Sequence, residues 1–459
     1  MALSGRKKIL VADIRRVITL WNPESWQLIR TFQADENDKW RLHNIECIAA
    51  AQDLSVIVSS NVNKCVLVYH PGDALRRVPW ELSAIRSYRE QMSRQREIET
   101  QRKAIEEQII AGNLTQAVAL LEQAEERFSP HLFQPLRRKL SALCRRGRLK
   151  DVYEIVTFEA ADYSGIPWES SQSPAADPRG GVYASTERGY GKNIYLFSEA
   201  GKRLGKLPSE SEYGGLGRPT YSPDGKRMAV GSYDCVMIYD TEEMTLRHTI
   251  RTMPHAVDES THPIDFSPDG QTLLVGAEGG YLALWDTETG ELIREFVRGE
   301  TGVWFVCFAD EGRKAVAIDQ SKCLNVFDIA SGRQMKRKAF DSWISSACLS
   351  PNGSSLYLWL DWEDKLGIID TKRWELCGEL QPGLGGEVSL CFSPDGTVLA
   401  TAGSGGLRLW EFPSHKLLWE LPELKGSYMT FSPDGCVLCV AIGIRVHMLM
   451  LRYELIPRE

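Results

Sequence analysis

The chain has 459 residues, of which 43% are hydrophobic and 25% charged, as in ordinary globular proteins. The formal net charge of −7 excludes a strongly basic protein and argues against a generic nucleic-acid binder. No apolar run reaches the roughly 20 residues of a membrane span, and the first apolar run, residues 9–12, is too short for a signal peptide. We therefore expect a cytoplasmic protein without a membrane segment.

Two strand-rich segments open the chain. Residues 8–32 predict three strands, the second ending at Leu20-Trp21-Asn22, and residues 45–70 predict a similar set ending at Leu67-Val68-Tyr69-His70. Hydrophobic periodicity then changes from strand-like to helical over residues 82–150, where Gly112 and Gly147 end helical patterns. The sequence therefore divides into residues 1–79 with two sheet units, residues 80–150 with a helical insertion, and residues 151–459.

The helical insertion differs from the rest of the chain in charge. Residues 82–150 hold 14 Lys+Arg and 8 Asp+Glu, a balance of +6, and the end of the segment has seven basic residues and no acidic one. These residues predict either a helix face that is solvated or docked on the acidic remainder, or a contact for an acidic partner or nucleic acid. The segment lacks interleaved aromatic residues, so the first reading is favoured. The basic helical patch comprises Arg137, Arg138, Lys139, Arg145, Arg146, Arg148 and Lys150.

The four-residue turn Ser-Pro-Asp-Gly, with Asn352 replacing the aspartate in one copy, recurs from Ser222 to the end of the chain. Proline pre-sets φ at the second position and glycine suits the fourth. Successive copies, counting a decayed one at Ala309-Asp310-Glu311-Gly312, lie 45, 42, 41, 43 and 39 residues apart. The full copies begin at Ser222, Ser267, Ser350, Ser393 and Ser432. Such a period, with four strands per unit, indicates repeats that stack to bury their faces.

A second marker repeats in phase, at the end of each third strand. It reads Ile238-Tyr239-Asp240, Leu284-Trp285-Asp286, Val326-Phe327-Asp328, Ile368-Ile369-Asp370 and Leu409-Trp410-Glu411. With both markers the sequence resembles the WD40 repeat family, and most of all bacterial WD40 proteins with helical segments between propeller regions. The resemblance implies an all-β fold, a WD40-type β-propeller with an α-helical insertion. The chain departs from the family in having no Gly-His dipeptide and only one literal Trp-Asp. The family also has an aspartate in the turn before the third strand, and only Asp234 matches that position well.

The repeats give six blades from residue 181 onward and a seventh, from Ser427, that has only three clear strands. A ring must close without leaving a free sheet edge. We expect Val152–Ala160 to supply the fourth strand by pairing with Arg445–Leu451, which completes seven blades. The alternative is a ring of eight or nine blades that includes residues 8–79.

Motifs for catalysis and metal binding are not found in the sequence. There is no phosphate-binding loop, no His-Glu-x-x-His and no nucleophile elbow, and the eight histidines do not cluster. Cys436 and Cys439 have the Cys-x-x-Cys spacing, but residues three apart on a strand point to opposite faces. The odd number of dispersed cysteines, 11, suits a reducing compartment. We expect no cofactor and no metal.

Aromatic residues at loop edges are the better candidates for recognition. In the WD40 pattern, the loops that join second to third strands and fourth to first strands share one face of the ring. That face would collect Tyr233, His262, Trp304, Trp343 and Trp362. Packing between blades is the competing explanation, and it is weakest for Trp362, which interrupts the polar turn Asp361–Asp364.

Three functions fit these observations. The first is a non-catalytic scaffold that presents a propeller face to other proteins. The second is a propeller hydrolase or lyase with a metal or His/Asp site in the channel, which requires polar groups that converge there. The third is a regulatory remnant of a larger multidomain bacterial protein. The first is favoured, and neither the partner nor the oligomeric state follows from the sequence.

Overall fold

A computed structural model describes residues 88–457, apart from 129, 160–171, 188–192, 213, 252–261, 298–300, 387, 426–427 and 443–444; before residue 88 it describes the backbone of eight strands. The chain forms two compact units, Met1–Phe133 and Gln134–Glu459, which we describe separately. In the described residues, no helix has the length and apolar character needed to cross a membrane.

The first unit contains two four-stranded antiparallel sheets and two α-helices. The first sheet is formed by β1 (Ala2–Ser4), β2 (Lys8–Ala12), β3 (Val17–Trp21) and β4 (Leu28–Gln33). The second is formed by β5 (Ile45–Ala50), β6 (Ile57–Asn61), β7 (Val66–Tyr69) and β8 (Arg76–Arg77). Helices α1 (Tyr88–Ile110) and α2 (Leu114–Arg127) follow, and a 3-10 turn, Pro130–Phe133, ends the unit. The described backbone before residue 88 therefore forms two four-stranded sheets.

The second unit begins with helix α3 (Gln134–Leu143) and the long strand β9 (Arg145–Glu159), and continues with seven four-stranded sheets. Blade 1 has β10 (Gln172–Ala176), β11 (Val182–Glu187), β12 (Ile194–Ser198) and β13 (Arg203–Leu207). Blade 2 has β14 (Thr220–Tyr221), β15 (Arg227–Gly231), β16 (Val236–Asp240) and β17 (Thr245–Ile250). Blade 3 has β18 (Ile264–Phe266), β19 (Thr272–Ala277), β20 (Tyr281–Asp286) and β21 (Leu292–Val297). Blade 4 has β22 (Val303–Ala309), β23 (Lys314–Asp319), β24 (Cys323–Asp328) and β25 (Gln334–Ala339).

The remaining blades follow the same order. Blade 5 has β26 (Ile344–Leu349), β27 (Ser355–Leu360), β28 (Lys365–Asp370) and β29 (Glu375–Leu380). Blade 6 has β30 (Ser389–Phe392), β31 (Val398–Gly403), β32 (Gly406–Glu411) and β33 (Lys416–Leu421). Blade 7 has β34 (Tyr428–Phe431), β35 (Val437–Ile442) and β36 (Arg445–Ile456), with β9 as its fourth strand.

Strand β9 closes blade 7, as the sequence predicted. It pairs antiparallel with β36 from Arg445 opposite Glu159 to Ile456 opposite Arg145. The contact between Glu154 Oε1 and His447 Nδ1, at 2.6 Å, also joins these two strands. A strand from the start of the unit therefore covers the edge that β36 would otherwise expose.

The hydrophobic core is divided into clusters that lie between neighbouring blades. Each of the seven pairs of consecutive blades shares one cluster of buried side chains. The cluster that joins blade 7 to blade 1 contains Val437 and Met450 together with Tyr183 and Phe197. Because the last blade packs on the first, the ring closes with seven blades, and the alternative ring of eight or nine blades is not formed.

The recurring turn is held by its own side chains. In blade 3, Ser267 Oγ donates to Asp269 Oδ1 at 2.6 Å and accepts the Thr272 N–H at 2.9 Å, while Gly270 has φ 71°. In the decayed copy, alanine replaces serine, and Asp310 and Glu311 instead adopt φ values of 52° and 54°. The turn therefore depends on a hydroxyl, a carboxylate and a glycine in a fixed order.

The aspartates that end the third strands hold the turns between third and fourth strands. Asp286 Oδ1 accepts the backbone N–H groups of Glu288 and Thr289 at 2.9 and 2.8 Å. The next residue, Thr287, donates to the Gly270 carbonyl at 2.9 Å and so joins this turn to the Ser-Pro-Asp-Gly turn. Thr241 and Thr371 donate in the same way to the Gly225 and Gly353 carbonyls.

Two boundaries differ from the sequence prediction. The repeats place the first blade of the ring from residue 181 onward, but its innermost strand, β10, lies earlier, at Gln172–Ala176. The helical segment was expected to reach residue 150, but α3 ends at Leu143 and β9 begins at Arg145. The pairing of β9 with β36 extends this strand through the basic residues, which local sequence pattern alone does not reveal.

Candidate functional site

The ring has two faces that the turns of each blade define. Successive turns of an antiparallel meander alternate between its ends, so the Ser-Pro-Asp-Gly turns lie on one face, here called the SPDG face. The turns that join second to third strands and the loops that join blades lie on the other, here called the loop face. All five candidate recognition residues lie in or beside loop-face segments: Tyr233, His262, Trp304, Trp343 and Trp362.

His262 is a buried residue that joins two blades. Its side chain is 5% exposed, and its Nδ1 lies 2.5 Å from the Ser232 carbonyl oxygen of the preceding blade. Burial lowers the pKa of this imidazole. Its backbone lies so close to Gly231 that a Cβ there would approach the His262 carbonyl oxygen to 2.1 Å. These contacts give His262 a structural role in blade packing.

Tyr233 covers a tight loop rather than projecting into solvent. A Cβ on Gly215, which has φ 63°, would lie 2.2 Å from the Tyr233 ring, so the ring sits directly on that glycine. The adjacent Asp234 accepts from Ser211 Oγ at 2.5 Å and from Arg251 Nη1 at 3.2 Å. Burial opposes the ionisation of Asp234, but hydrogen bonding to Ser211 and other neighbours lowers its pKa. This network fixes the loop before blade 2.

Trp304 and Trp343 are half-buried at the junction of blades 4 and 5. The Trp304 ring packs against the core cluster of these blades, with its centroid 5.9 Å from that of Phe305. The Trp343 carbonyl accepts the Asp361 N–H at 2.9 Å. The Trp343 backbone is thus bonded directly to the segment that carries Trp362, whereas Trp304 packs on the core of blades 4 and 5.

Trp362 differs from these four residues in its exposure. Its side chain is 68% exposed, and it is the only exposed tryptophan among those whose side chains the structure describes. It lies in the 3-10 turn Asp361–Glu363 between β27 and β28. A large aromatic side chain in this position covers no core, so it is available to a partner.

The turn that carries Trp362 is held from both sides. The Trp362 N–H donates to Ser342 Oγ at 3.0 Å, and Ser345 Oγ donates to Asp361 Oδ1 at 2.6 Å. On the other side, Asp364 Oδ1 accepts the Gly385 N–H from the loop that leads to blade 6, at 3.0 Å. The indole is thus presented on a rigid turn, which reduces the entropy lost when a partner binds.

A lysine from the neighbouring blade lies over the exposed indole. Lys322 Nζ is 3.7 Å from the centroid of the Trp362 ring and donates to the Asp341 carbonyl at 3.2 Å. Lys322 occupies the turn between β23 and β24 with φ 62°. An ammonium at this distance makes a cation–π contact. Sequence reasoning missed Lys322, because it lies 40 positions before Trp362 and only the blade geometry brings them together.

The predicted basic helical patch is divided between two elements. Arg137, Arg138 and Lys139 lie on α3, whereas Arg145, Arg146, Arg148 and Lys150 lie on β9 and are not helical. This corrects the prediction, and the cause is the pairing of these residues with the end of β36. Whether an acidic partner binds the patch stays a prediction.

Three of these arginines contact the propeller. Buried Arg137 donates to the Tyr453 carbonyl at 2.8 Å, and Arg146 Nη1 pairs with Asp395 Oδ2 at 2.8 Å. Arg138 Nε donates to Asp434 Oδ2 at 2.5 Å, and its Nη1 pairs with Glu199. Burial disfavours the charge of Arg138, but hydrogen bonds to Glu199 and Asp434 raise its pKa above the ordinary value. Arg138 thereby joins blade 7 to blade 1 on the SPDG face.

The enzyme hypothesis requires polar side chains that converge in the central channel of the ring. In the part of the chain that the structure describes, no three His, Cys, Asp or Glu side chains are arranged to hold a metal ion. Asp265 on the inner strand of blade 3 accepts the Phe308 N–H at 2.8 Å, and burial raises the pKa of this carboxyl to about 7.

Comparison with known families agrees with this architecture. Residues 204–352 match the family described as Vps8 beta-propeller, and residues 378–411 match the WD domain, G-beta repeat. The chain is a WD40-type β-propeller protein. Both matched segments of the WD40 propeller lie within the seven-bladed ring, and the second spans the end of blade 5 and most of blade 6.

Curated relatives of this WD40 propeller come from several eukaryotes. Human pre-mRNA-processing factor 17 is 28% identical over 216 residues, which is 43% of this chain and 35% of the relative. The WD repeat-containing protein WDS homolog of Arabidopsis thaliana is 24% identical over 222 residues, 44% of this chain and 39% of the relative. The chain thus spans little more than a third of the length of these relatives.

A solved structure gives the same fold at low sequence identity. A chain from the crystal structure of a mitotic checkpoint complex superimposes with a TM-score of 0.54 and 16% identity, covering 66% of this chain and 93% of the other. At this identity the likeness shows the propeller fold alone.

Proposed function

We propose that this WD40 propeller is a non-catalytic scaffold that binds partner proteins through the loop face around Trp362. The exposed indole on a rigid turn is the observation that carries the proposal. WD40 propellers are typically interaction scaffolds rather than enzymes, which supports the same reading. The relative named as a WD repeat-containing protein supports the same proposal.

The other candidate residues are assigned supporting roles. His262 and Tyr233 fix blade junctions, Trp304 packs on the core between blades 4 and 5, and the Trp343 carbonyl bonds to the turn that bears Trp362. A partner would therefore contact Trp362 directly, while the other four residues preserve the shape of the face. Tryptophan is enriched among the few residues that dominate binding energy at interfaces. A cytoplasmic location stays a prediction that cell fractionation would test.

The test compares two exposed hydrophobic residues at different places on the ring. Trp362→Ala removes the indole, and Met335→Ala is the control, because Met335 is 56% exposed on the outer strand β25. Tagged full-length proteins are purified from cells and the bound proteins are quantified by mass spectrometry. Loss of a central tryptophan contact weakens binding by about 30-fold or more.

We expect a defined set of proteins to be lost with Trp362→Ala and retained with Met335→Ala. Circular dichroism and thermal unfolding confirm that both variants remain folded. An identical set of bound proteins with the wild type and both variants would contradict the proposed site.

A further inference from the structure

The ammonium group of Lys322 lies over the exposed indole of Trp362, and this contact points to the chemistry of the partner. Lys322 Nζ lies 3.7 Å from the ring centroid, well inside the roughly 6 Å over which an aromatic face attracts a cation. The lysine belongs to blade 4 and the tryptophan to blade 5, so the contact is made across a blade junction.

The surroundings of this pair are acidic. Asp341 precedes Ser342, and Asp361, Glu363 and Asp364 lie in or next to the turn of Trp362. Lys365, at the end of the same turn, pairs with Glu363 and, at 2.9 Å, with Glu379. The turn and its neighbours thus hold five carboxylates against three ammonium groups, those of Lys322, Lys365 and Lys338, whose Nζ lies 5.5 Å from the centroid of the neighbouring Phe340 ring. A segment with positive charge is electrostatically favoured here over an acidic one.

We propose that Lys322 occupies, in the free protein, the position that an arginine of the partner takes on the Trp362 indole. This inference rests on the proposed function of the same face. The planar guanidinium is more weakly hydrated than an ammonium group and stacks on aromatic rings. Lysine has a flexible stem, so Lys322 is able to leave the ring while its ammonium group stays in solvent. The partner is therefore a protein segment that presents an arginine.

The proposal predicts that replacing Lys322 with an uncharged residue strengthens the binding of the partner. If Lys322 competes with the partner's arginine, Lys322→Gln tightens binding by about two- to fivefold, the equivalent of one exposed cation–π contact. Lys322→Arg places a better competitor on the ring and weakens binding. If Lys322 instead contacts an acidic partner, Lys322→Gln weakens binding.

The experiment uses the full chain labelled with 5-fluorotryptophan. The Trp362 fluorine resonance, one of 13 from tryptophan, is assigned by its loss in Trp362→Phe. A short peptide with two adjacent arginines between glycine and serine residues is titrated, alongside versions with two lysines or two glutamates. We expect the arginine peptide to shift the Trp362 resonance most and the glutamate peptide not to shift it.

A matched control separates competition from general electrostatics. Lys365→Gln removes one positive charge from the same turn without vacating the indole. We expect it to tighten binding of the arginine peptide less than Lys322→Gln does. Equal tightening by both variants, weaker binding by Lys322→Gln, or no response of Trp362 to the arginine peptide would each overturn the inference. Partner capture that depends on Trp362 without any response to arginine would retain the proposed function and overturn only this inference.

Discussion

Arg138 provides the most direct test of how the ring is stabilised. Its guanidinium bridges Asp434, in the Ser-Pro-Asp-Gly turn of blade 7, and Glu199, in the turn between β12 and β13 of blade 1. The side chain is 25% exposed, and those of Glu199 and Asp434 are 16% and 31% exposed. We predict that Arg138→Gln destabilises the ring, because it leaves two partly buried carboxylates without their shared cation.

The magnitude follows from the burial of the three groups. Breaking a fully buried pair by removing one partner costs about 3–5 kcal/mol, whereas exposed pairs contribute about 0.2–1 kcal/mol. Groups with this partial exposure fall between these limits, at about 2–3 kcal/mol. For a unit of this size, 1 kcal/mol lowers the Tm by about 2 °C, so we expect a decrease of about 4–6 °C.

The effect of Arg138→Gln has a defined pH dependence. Burial opposes ionisation of Asp434, but hydrogen bonds from Ser432 and Arg138 lower its pKa below the ordinary 3.8. A carboxyl with a lowered pKa in the folded state contributes stability above pH 3.8 that is lost as the pH falls through the folded pKa. The difference in Tm between wild type and Arg138→Gln should therefore decrease below about pH 3.8.

The assay is thermal unfolding followed by circular dichroism, at pH 7 and at acidic pH. Arg148→Gln is the control, since this exposed arginine on β9 loses the same charge. The double variant with Glu199→Gln should be less destabilised than the sum of the single variants. A Tm of Arg138→Gln within 1 °C of the wild type, or an equal decrease with Arg148→Gln, would refute the proposed role of Arg138 in joining the blades.

Two further predictions concern the ring. A fragment of residues 134–459 should unfold in one transition, at a temperature near that of the full chain. A fragment of residues 160–459 lacks β9 and should aggregate in light scattering, because the edge of β36 is open. Equal solubility of the two fragments would contradict the closure of blade 7 by β9. Asp265→Asn should raise the Tm at pH 8 and have less effect at pH 4, because a carboxyl whose folded pKa is raised to about 7 loses stability as the pH rises from 3.8 to 7. The gain in the free energy of unfolding has an upper limit of about 4 kcal/mol, and the partial exposure of Asp265 reduces it. An unchanged or lower Tm at pH 8 would show that the ionised carboxylate is well solvated in the channel.

The amino-acid sequence alone determined most of the propeller. Each blade encodes its turns locally, through a hydroxyl, a carboxylate and a glycine at fixed spacing, as at Ser267, Asp269 and Gly270. The period of these turns located the blades, and an incomplete last blade predicted that the strand after the helices would close the ring. These features were predictable because they depend on neighbours a few residues apart or on the need to cover a sheet edge.

The tertiary structure decided what local pattern does not encode. The basic residues from Arg145 onward are strand rather than helix because they pair with the distant end of β36. His262 resembles a loop residue in sequence but is buried against the backbone of Ser232, and only the blade geometry places Lys322 of the preceding blade over Trp362. Burial, charge pairing and access to solvent are properties of the assembled ring, in which residues separated by tens to hundreds of positions become neighbours.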